Sequence, residues 1–253
     1  MIKALIAAGA DKYARDEDGQ TAFMKAAGHN TNPDVVKALI AAGADKNARD
    51  EFGSTALMEA ASFNENPDVV KALLAAGSDV NARDEKGNTP LMNAAGFNEN
   101  PDVIKALLAA GADKYARDEF GSTALMEAAS FNENPDVVKA LLAAGLDVNA
   151  RDEFGSTVLM EAASLNENPD VVKVLLAAGS DVNARDEFGS TALMEAASWN
   201  DNPDVLKVLI EAGANKYARD EDGNRAIDLL EIRQDKDEFY GTDAYWKMRD
   251  LLY

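Results

Sequence analysis

Cysteine is missing from all 253 residues, and histidine occurs once, as His29. Disulfides, thiol nucleophiles, iron–sulfur clusters and Cys-containing zinc sites are thereby excluded, as is any multi-histidine metal cluster, so packing alone must hold the fold. Positive charge is scarce as well: 25 Lys and Arg stand against 45 Asp and Glu, a formal charge of −20. Such a surface repels a phosphate backbone, and nucleic acid is not expected as a partner. No apolar run reaches the ~18 to 20 residues of a transmembrane helix. Met1-Ile2-Lys3-Ala4-Leu5 does not open like a signal peptide. A membrane partner is therefore not expected; the expected location is cytoplasmic, with a secreted effector as the alternative.

Proline is scarce, at seven residues, and both proline and glycine are placed periodically. Gly19, Gly53, Gly87, Gly121, Gly155, Gly189 and Gly223 are 34 residues apart, and Pro33, Pro67, Pro101, Pro135, Pro169 and Pro203 keep the same period. A leading piece, 1–15, followed by units 16–49, 50–83, 84–117, 118–151, 152–185, 186–219 and 220–253, accounts for every residue. Units 50–83 and 118–151 differ only at Ser78 and its counterpart Leu146. A fixed period of this length is the signature of a stacked repeat architecture.

Within unit 50–83, Thr55 supplies a hydroxyl N-cap to a helix whose Leu57, Ala60 and Ala61 fall on one face, ending near Ser62-Phe63. Asn64-Glu65-Asn66-Pro67 then gives turn residues, an Asn N-cap and a proline at the first helical position, with Asp68 favouring the positive helix end. The second helix buries Val70, Leu73 and Leu74, exposes Lys71, and stops at Gly77 in the left-handed conformation. Helices this short are marginal alone, because isolated helices below ~12 to 15 residues scarcely form in water. Neighbouring units must cover them, and the small Ala60, Ala61, Ala72, Ala75 and Ala76 allow close approach.

The residues offer little chemistry. Asp-Glu recurs at 16, 50, 84, 118, 152, 186 and 220, but without the alternating oxygen ligands of a calcium loop. These carboxylates are read as solvated turn groups, with Arg15, Arg49, Arg83, Arg117, Arg151, Arg185 and Arg219 pairing nearby. His29 occupies the place of Phe63, Phe97, Phe131, Leu165 and Trp199 and reads as a surface variant. Ser54, Ser122, Ser156 and Ser190 lie beside helix starts, where turn formation is their role, and Asn81, Asn149 and Asn183 serve the long turn. No catalytic, cofactor-binding or metal-binding residue is assigned, and the chain is read as no enzyme.

Thr89-Pro90-Leu91-Met92-Asn93-Ala94, with Asp84-x-x-Gly87-x-Thr89, Ala94-Ala95, Val103-Ile104-Lys105-x-Leu107-Leu108 and Gly111-Ala112-Asp113, resembles the ankyrin repeat. The resemblance implies an all-α solenoid of stacked helix-loop-helix units joined by β-turn loops, binding protein on a concave face. On that alignment, 1–15 is an N-terminal half repeat and 220–253 a C-terminal capping repeat. Its Phe239, Tyr240, Tyr245, Trp246 and Tyr253 are read as closing the core. Two features depart from the family. Methionine replaces the usual histidine at Met24, Met58, Met92, Met126, Met160 and Met194, so that histidine's hydrogen bonds are not expected. One extra residue also lengthens the helix-to-helix loop.

Two ladders are candidate partner contacts. Phe52, Phe120, Phe154 and Phe188 precede the turn-tip glycine, where other units carry Asp18, Lys86 and Asp222, so the position tolerates water. Phe63, Phe131, Leu165 and Trp199, with Phe97, end the first helix; burial under the lengthened loop and partner contact both stay open for them. The expected function is a protein-binding scaffold whose partner surface is basic, given the charge. Two further readings stand beside it: a self-assembling structural protein stacking through its uncapped N-terminal end, and a consensus-designed repeat scaffold.

Overall fold

The computed structural model describes residues 11–233 and 239–253, which contain 14 helices and no named strand. Residues 1–10 of the N-terminal half repeat, with the uncapped end expected at Met1–Ile6, lie outside the described residues. The chain falls into two compact units, divided between Glu119 and Phe120.

Among the described residues the first holds six helices: α1 (Ala22–His29), α2 (Pro33–Ala41), α3 (Ala56–Phe63), α4 (Pro67–Ala75), α5 (Pro90–Phe97) and α6 (Pro101–Ala109). They lie in two layers, α1, α3 and α5 side by side and α2, α4 and α6 likewise. The second contains α7 (Ala124–Phe131), α8 (Pro135–Ala143), α9 (Val158–Leu165), α10 (Pro169–Ala177), α11 (Ala192–Trp199), α12 (Pro203–Glu211), α13 (Ala226–Glu231) and α14 (Asp243–Leu252). There α7, α9, α11 and α13 pack in sequence, and α8, α10, α12 and α14 form the other layer.

The helix limits follow from local chemistry. Thr55 Oγ1 accepts from Met58 N at 3.3 Å, and Asn66 Oδ1 accepts from Asp68 N at 3.0 Å ahead of Pro67. Gly77 closes α4 with φ +82°, a conformation that a Cβ disfavours. The methionine departure is compensated in part: the sulfur of Met24, Met58 and Met160 accepts the N-cap backbone N–H at 3.4 to 3.5 Å, a weak counterpart of a capping box. These methionines are also fully buried, so one side chain fills the core and caps the helix.

Leu57, Ala60 and Ala61 are buried, as are Val70 and Leu73. The stripe of α4 is turned slightly from the expected one, since Val69 and Ala72 are buried and Leu74 is only half-buried. The arginines differ more. Arg49 donates 2.6 Å bonds to the carbonyls of Gly53 and, one unit later, Arg83, and Arg15 does the same with Gly19 and Arg49. These guanidiniums bind backbone where carboxylate pairing was expected, because each turn carboxylate already accepts its own backbone N–H groups.

The lengthened loop is tied from unit to unit by asparagine. Buried Asn64 donates from Nδ2 to Ala27 O at 2.8 Å and Asn30 O at 3.1 Å, and Asn98 repeats this with Ala61 and Asn64. In the second unit, Asn166 donates to Ala129 and Asn132, and Asn200 to Ala163 and Asn166. Buried Arg233 ends that column, bonding Asn200 O at 2.9 Å with its guanidinium 4.0 Å above the Phe239 ring.

Of the C-terminal aromatics, Phe239 and Tyr245 are buried with Met248 and Leu252, as a cap requires. Tyr240, Trp246 and Tyr253 are exposed instead. Tyr240 and Trp246 lean on Tyr245 from outside, with centroids 4.8 and 5.1 Å away, and Tyr253 lies against Arg249. The inward face of α14 is filled by Tyr245, Met248 and Leu252, which leaves these rings no core to enter.

Candidate partner-binding surface

Each turn tip is a closed hydrogen-bonded loop. Asp152 N donates to Ser156 O and Gly155 N to Asp152 O, while Asp152 Oδ1 accepts from Phe154 N at 2.9 Å and Ser156 N at 2.8 Å. Each tip is then bonded to the next: Phe120 O accepts from Glu153 N at 3.0 Å, Phe154 O from Glu187 N at 3.1 Å, and Phe188 O from Glu221 N at 3.0 Å. The closeness of the tips explains the glycine there. Gly121 has φ +80°, and a Cβ on it would stand 2.9 Å from Glu153 N. The same linkage in the first unit runs from Asp18 through Phe52 to Lys86.

This backbone ladder holds Phe120, Phe154 and Phe188 as a row, between 49% and 60% exposed. Phe52 is exposed at the corresponding tip of the first unit. The other ladder is exposed too: Phe131, Leu165 and Trp199 are between 50% and 55% exposed, as are Phe63 and Phe97 to a similar degree. The lengthened loop does not cover them, because its asparagines reach back to the preceding unit. His29 is exposed at the end of α1 and stacks on Phe63 at 5.9 Å.

Sequence reasoning missed what lies between the rows. Glu127, Glu161 and Glu195 are half-buried on α7, α9 and α11, each four residues before Phe131, Leu165 or Trp199 and hence on the same helix face. Burial pushes the carboxyls of Glu161 and Glu195 up, opposed by the Ser130 hydroxyl on Glu161 and the Ser190 hydroxyl on Glu195. Repulsion from Asp152 acts in the same direction on Glu161, and repulsion from Asp186 and Glu161 on Glu195. In the first unit, burial likewise raises Glu59, with Asp50 adding to it.

Charge is divided between the two halves of a repeat. Residues 152–165 hold Asp152, Glu153 and Glu161 with no Lys or Arg, whereas 169–185 balance Asp170 and Asp181 with Lys173 and Arg185. On the second helices, Lys71 meets Asp68 at 3.0 Å, Lys139 meets Asp136 at 2.8 Å and Lys173 meets Asp170 at 2.7 Å, all exposed. The tips hold guanidiniums of their own, Arg151 on Gly155 O and Arg219 on Gly223 O, so the excess negative charge of this face lies on the first helices, at Glu161 and Glu195.

The remaining polar groups are structural. Asn81 Nδ2 donates to Gly111 O and its Oδ1 accepts from Asp113 N at 2.7 Å, and Asn149 and Asn183 bond the following unit similarly. A cleft of about 220 Å³ is lined by Lys46, Asn47, Arg49, Ser78 and Asp79, but Lys46 is bonded to Ala76 O and Arg49 to two carbonyls. Among the described residues no cluster of acidic or histidine side chains has metal-site geometry, and no helix is long and apolar enough to cross a membrane.

A two-layered stack of helix pairs joined by hydrogen-bonded turn tips is the ankyrin-repeat architecture, and the family model described as "Ankyrin repeats (3 copies)" matches residues 1–84, 58–152 and 125–220. The chain belongs to the ankyrin-repeat family, whose members are generally interaction domains. Among solved structures it is similar to the crystal structure of the human ASB11 ankyrin repeat domain, with TM-score 0.75 and 26% identity over 92% of this chain and 96% of that one. No curated protein matches the chain.

Proposed function

We propose that the protein is a non-enzymatic scaffold that binds a partner protein with a basic surface, through the face made by the turn tips and first helices. The observation carrying this reading is the row Phe120, Phe154 and Phe188, held exposed by tips that are hydrogen-bonded to one another. At about half exposure these rings forgo roughly half of the ~1.5 to 3 kcal/mol that full burial gives, and covering them with a partner recovers it. Clustered aromatic anchors are the usual energetic centre of a protein interface. Phe63, Phe131, Leu165 and Trp199 extend the contact along the helix ends, and Phe52 offers a corresponding tip in the first unit. The scaffold reading needs no reactive group, which fits a chain whose turn carboxylates repeat in like surroundings.

The test is a random-peptide display selection run in parallel on the protein and on Phe120→Asp/Phe154→Asp/Phe188→Asp. Asp already stands at 18 and 222, so the variant keeps its helical circular dichroism and melting temperature. Peptides enriched on the protein and lost on the variant are the expected result. Selection of the same peptides by both, or unfolding of the variant, overturns the reading. Sedimentation velocity over a range of concentrations separates it from self-assembly, which would show mass rising with concentration and falling in the variant.

A further inference from the structure

The partner's chemistry is legible in how the second unit distributes apolar and charged groups. Phe120, Phe154 and Phe188 form one row, Phe131, Leu165 and Trp199 another, and the half-buried Glu127, Glu161 and Glu195 stand on the helix face leading to the second row. The groups acting on Glu161 and Glu195 are hydroxyls and other carboxylates, while the basic residues nearest them in the sequence, Arg151 and Arg185, donate to the backbone carbonyls of Gly155, Arg185 and Arg219. A ligand for this face must combine positive charge with a flat or apolar body that covers aromatic rings. Arginine does both: its guanidinium pairs with carboxylates and stacks on aromatic faces, and its stem is apolar.

Spacing sets the pattern. Neighbouring packed helices lie ~8 to 10 Å apart, and a polyproline II chain advances ~3.1 Å per residue with three residues per turn, so every third side chain lies on one face. One repeat is therefore matched by about three residues, one turn, of such a chain.

We propose that the segment bound across this face is a polyproline II stretch of partner chain with arginine at every third residue, one per repeat, the guanidiniums set against Glu161 and Glu195 and beside a tip phenylalanine. The proposal rests on the reading that this face binds protein, and it fixes which protein segments fit. Arginines clustered at one end reach only one of Glu161 and Glu195. Acidic segments are repelled.

Two labelled peptides of identical composition test it by fluorescence anisotropy at physiological salt: (Arg-Gly-Ser)4 and its isomer with the four arginines in one block. The periodic peptide is expected to bind at least tenfold more tightly than the block isomer. Glu161→Gln/Glu195→Gln should weaken it about tenfold. Phe120→Asp/Phe154→Asp/Phe188→Asp should weaken it as much, although three added carboxylates would strengthen a contact that was merely electrostatic. Equal affinity for the two isomers, insensitivity to the Glu→Gln pair, or tighter binding to the Phe variant overturns the proposal. If neither peptide binds while display still yields sequences lost on the Phe variant, the arginine proposal falls and protein binding stands. If display yields none, both fall.

Discussion

Replacing Asn166 by alanine removes a side chain that is buried in the second unit and bonded on both sides of its amide. Its Nδ2 donates to Ala129 O at 2.9 Å and Asn132 O at 3.0 Å, and its Oδ1 accepts from Asn168 N at 2.9 Å. Each such bond contributes about 1 kcal/mol net, and a buried group left without a partner costs ~1 to 3 kcal/mol. The expected loss is therefore about 3 kcal/mol, which for a chain of this size lowers the melting temperature by roughly 6 to 12 °C. Asn168→Ala is the internal control: its Nδ2 bond to Glu133 O is exposed, and its cap on Asp170 N is worth only ~1 kcal/mol. Urea and thermal unfolding, followed by far-UV circular dichroism, measure both, with the transition inspected for loss of cooperativity between repeats. An Asn166→Ala variant within about 0.5 kcal/mol of the parent would refute the claim that the asparagine column ties the units.

Ser78 and Ser180 bury hydroxyls without a partner among the described residues, where Ala44, Ala112, Ala214 and Leu146 stand in other repeats. Ser180→Ala should raise stability by about 1 kcal/mol, read as a higher urea midpoint. Folding holds Glu161 and Glu195 above the 4.5 of a free glutamate, so the folded state binds more protons just above that value and gains stability as pH falls into the window. Glu161→Gln/Glu195→Gln should accordingly have a higher urea midpoint than the parent near neutral pH, with the difference shrinking as pH approaches 4.5. Asp228 has the opposite sign: Arg225 holds it down at about 2, so its contribution is present above 3.8 and is lost as pH falls toward 2, and Arg225→Ala should lessen that acid sensitivity. Association with a basic partner should slow steeply between low and high salt, since charges are screened within ~8 Å at physiological ionic strength.

The helix limits were legible because they are local. Thr55, Asn66, Pro67 and Gly77 each act within one turn of the chain, so their residue types announce their roles. Asn64 was read only as a turn residue because its bonds reach Ala27 and Asn30, 37 and 34 positions away. The periodicity did hold the missing signal. Asn30, Asn64, Asn98, Asn132, Asn166 and Asn200 never vary, although the position after them passes through Thr31, Glu65 and Asp201. A turn in water accepts Asp, Ser or Gly as readily as Asn. Strict identity of one polar residue across repeats, next to a free neighbour, is therefore the mark of a contact between units. The arginines follow the same logic: they are invariant from Arg15 to Arg219, and Arg15, Arg49, Arg83, Arg151 and Arg185 each bond a carbonyl one repeat ahead.

The face itself shows the converse, where variation was informative and its absence misleading. Asp18, Lys86 and Asp222 at the tip position require it to face water, and Phe120, Phe154 and Phe188 do so. At the helix-end position, Phe63, Phe97, Phe131, Leu165 and Trp199 are all large and apolar, which reads equally as core or contact; only His29 departs. The neighbouring column settles the matter physically. Lys25, Glu59, Asn93, Glu127, Glu161 and Glu195 are polar in helices otherwise built from alanine, leucine and methionine, and each stands four residues before the helix-end side chain. Residues four apart share a face, so a charge that must reach water brings its neighbour to the surface with it. Glu161 and Glu195, half-buried beside rings left in water, have other carboxylates and hydroxyls acting on them, and that combination gives a cationic partner something to gain.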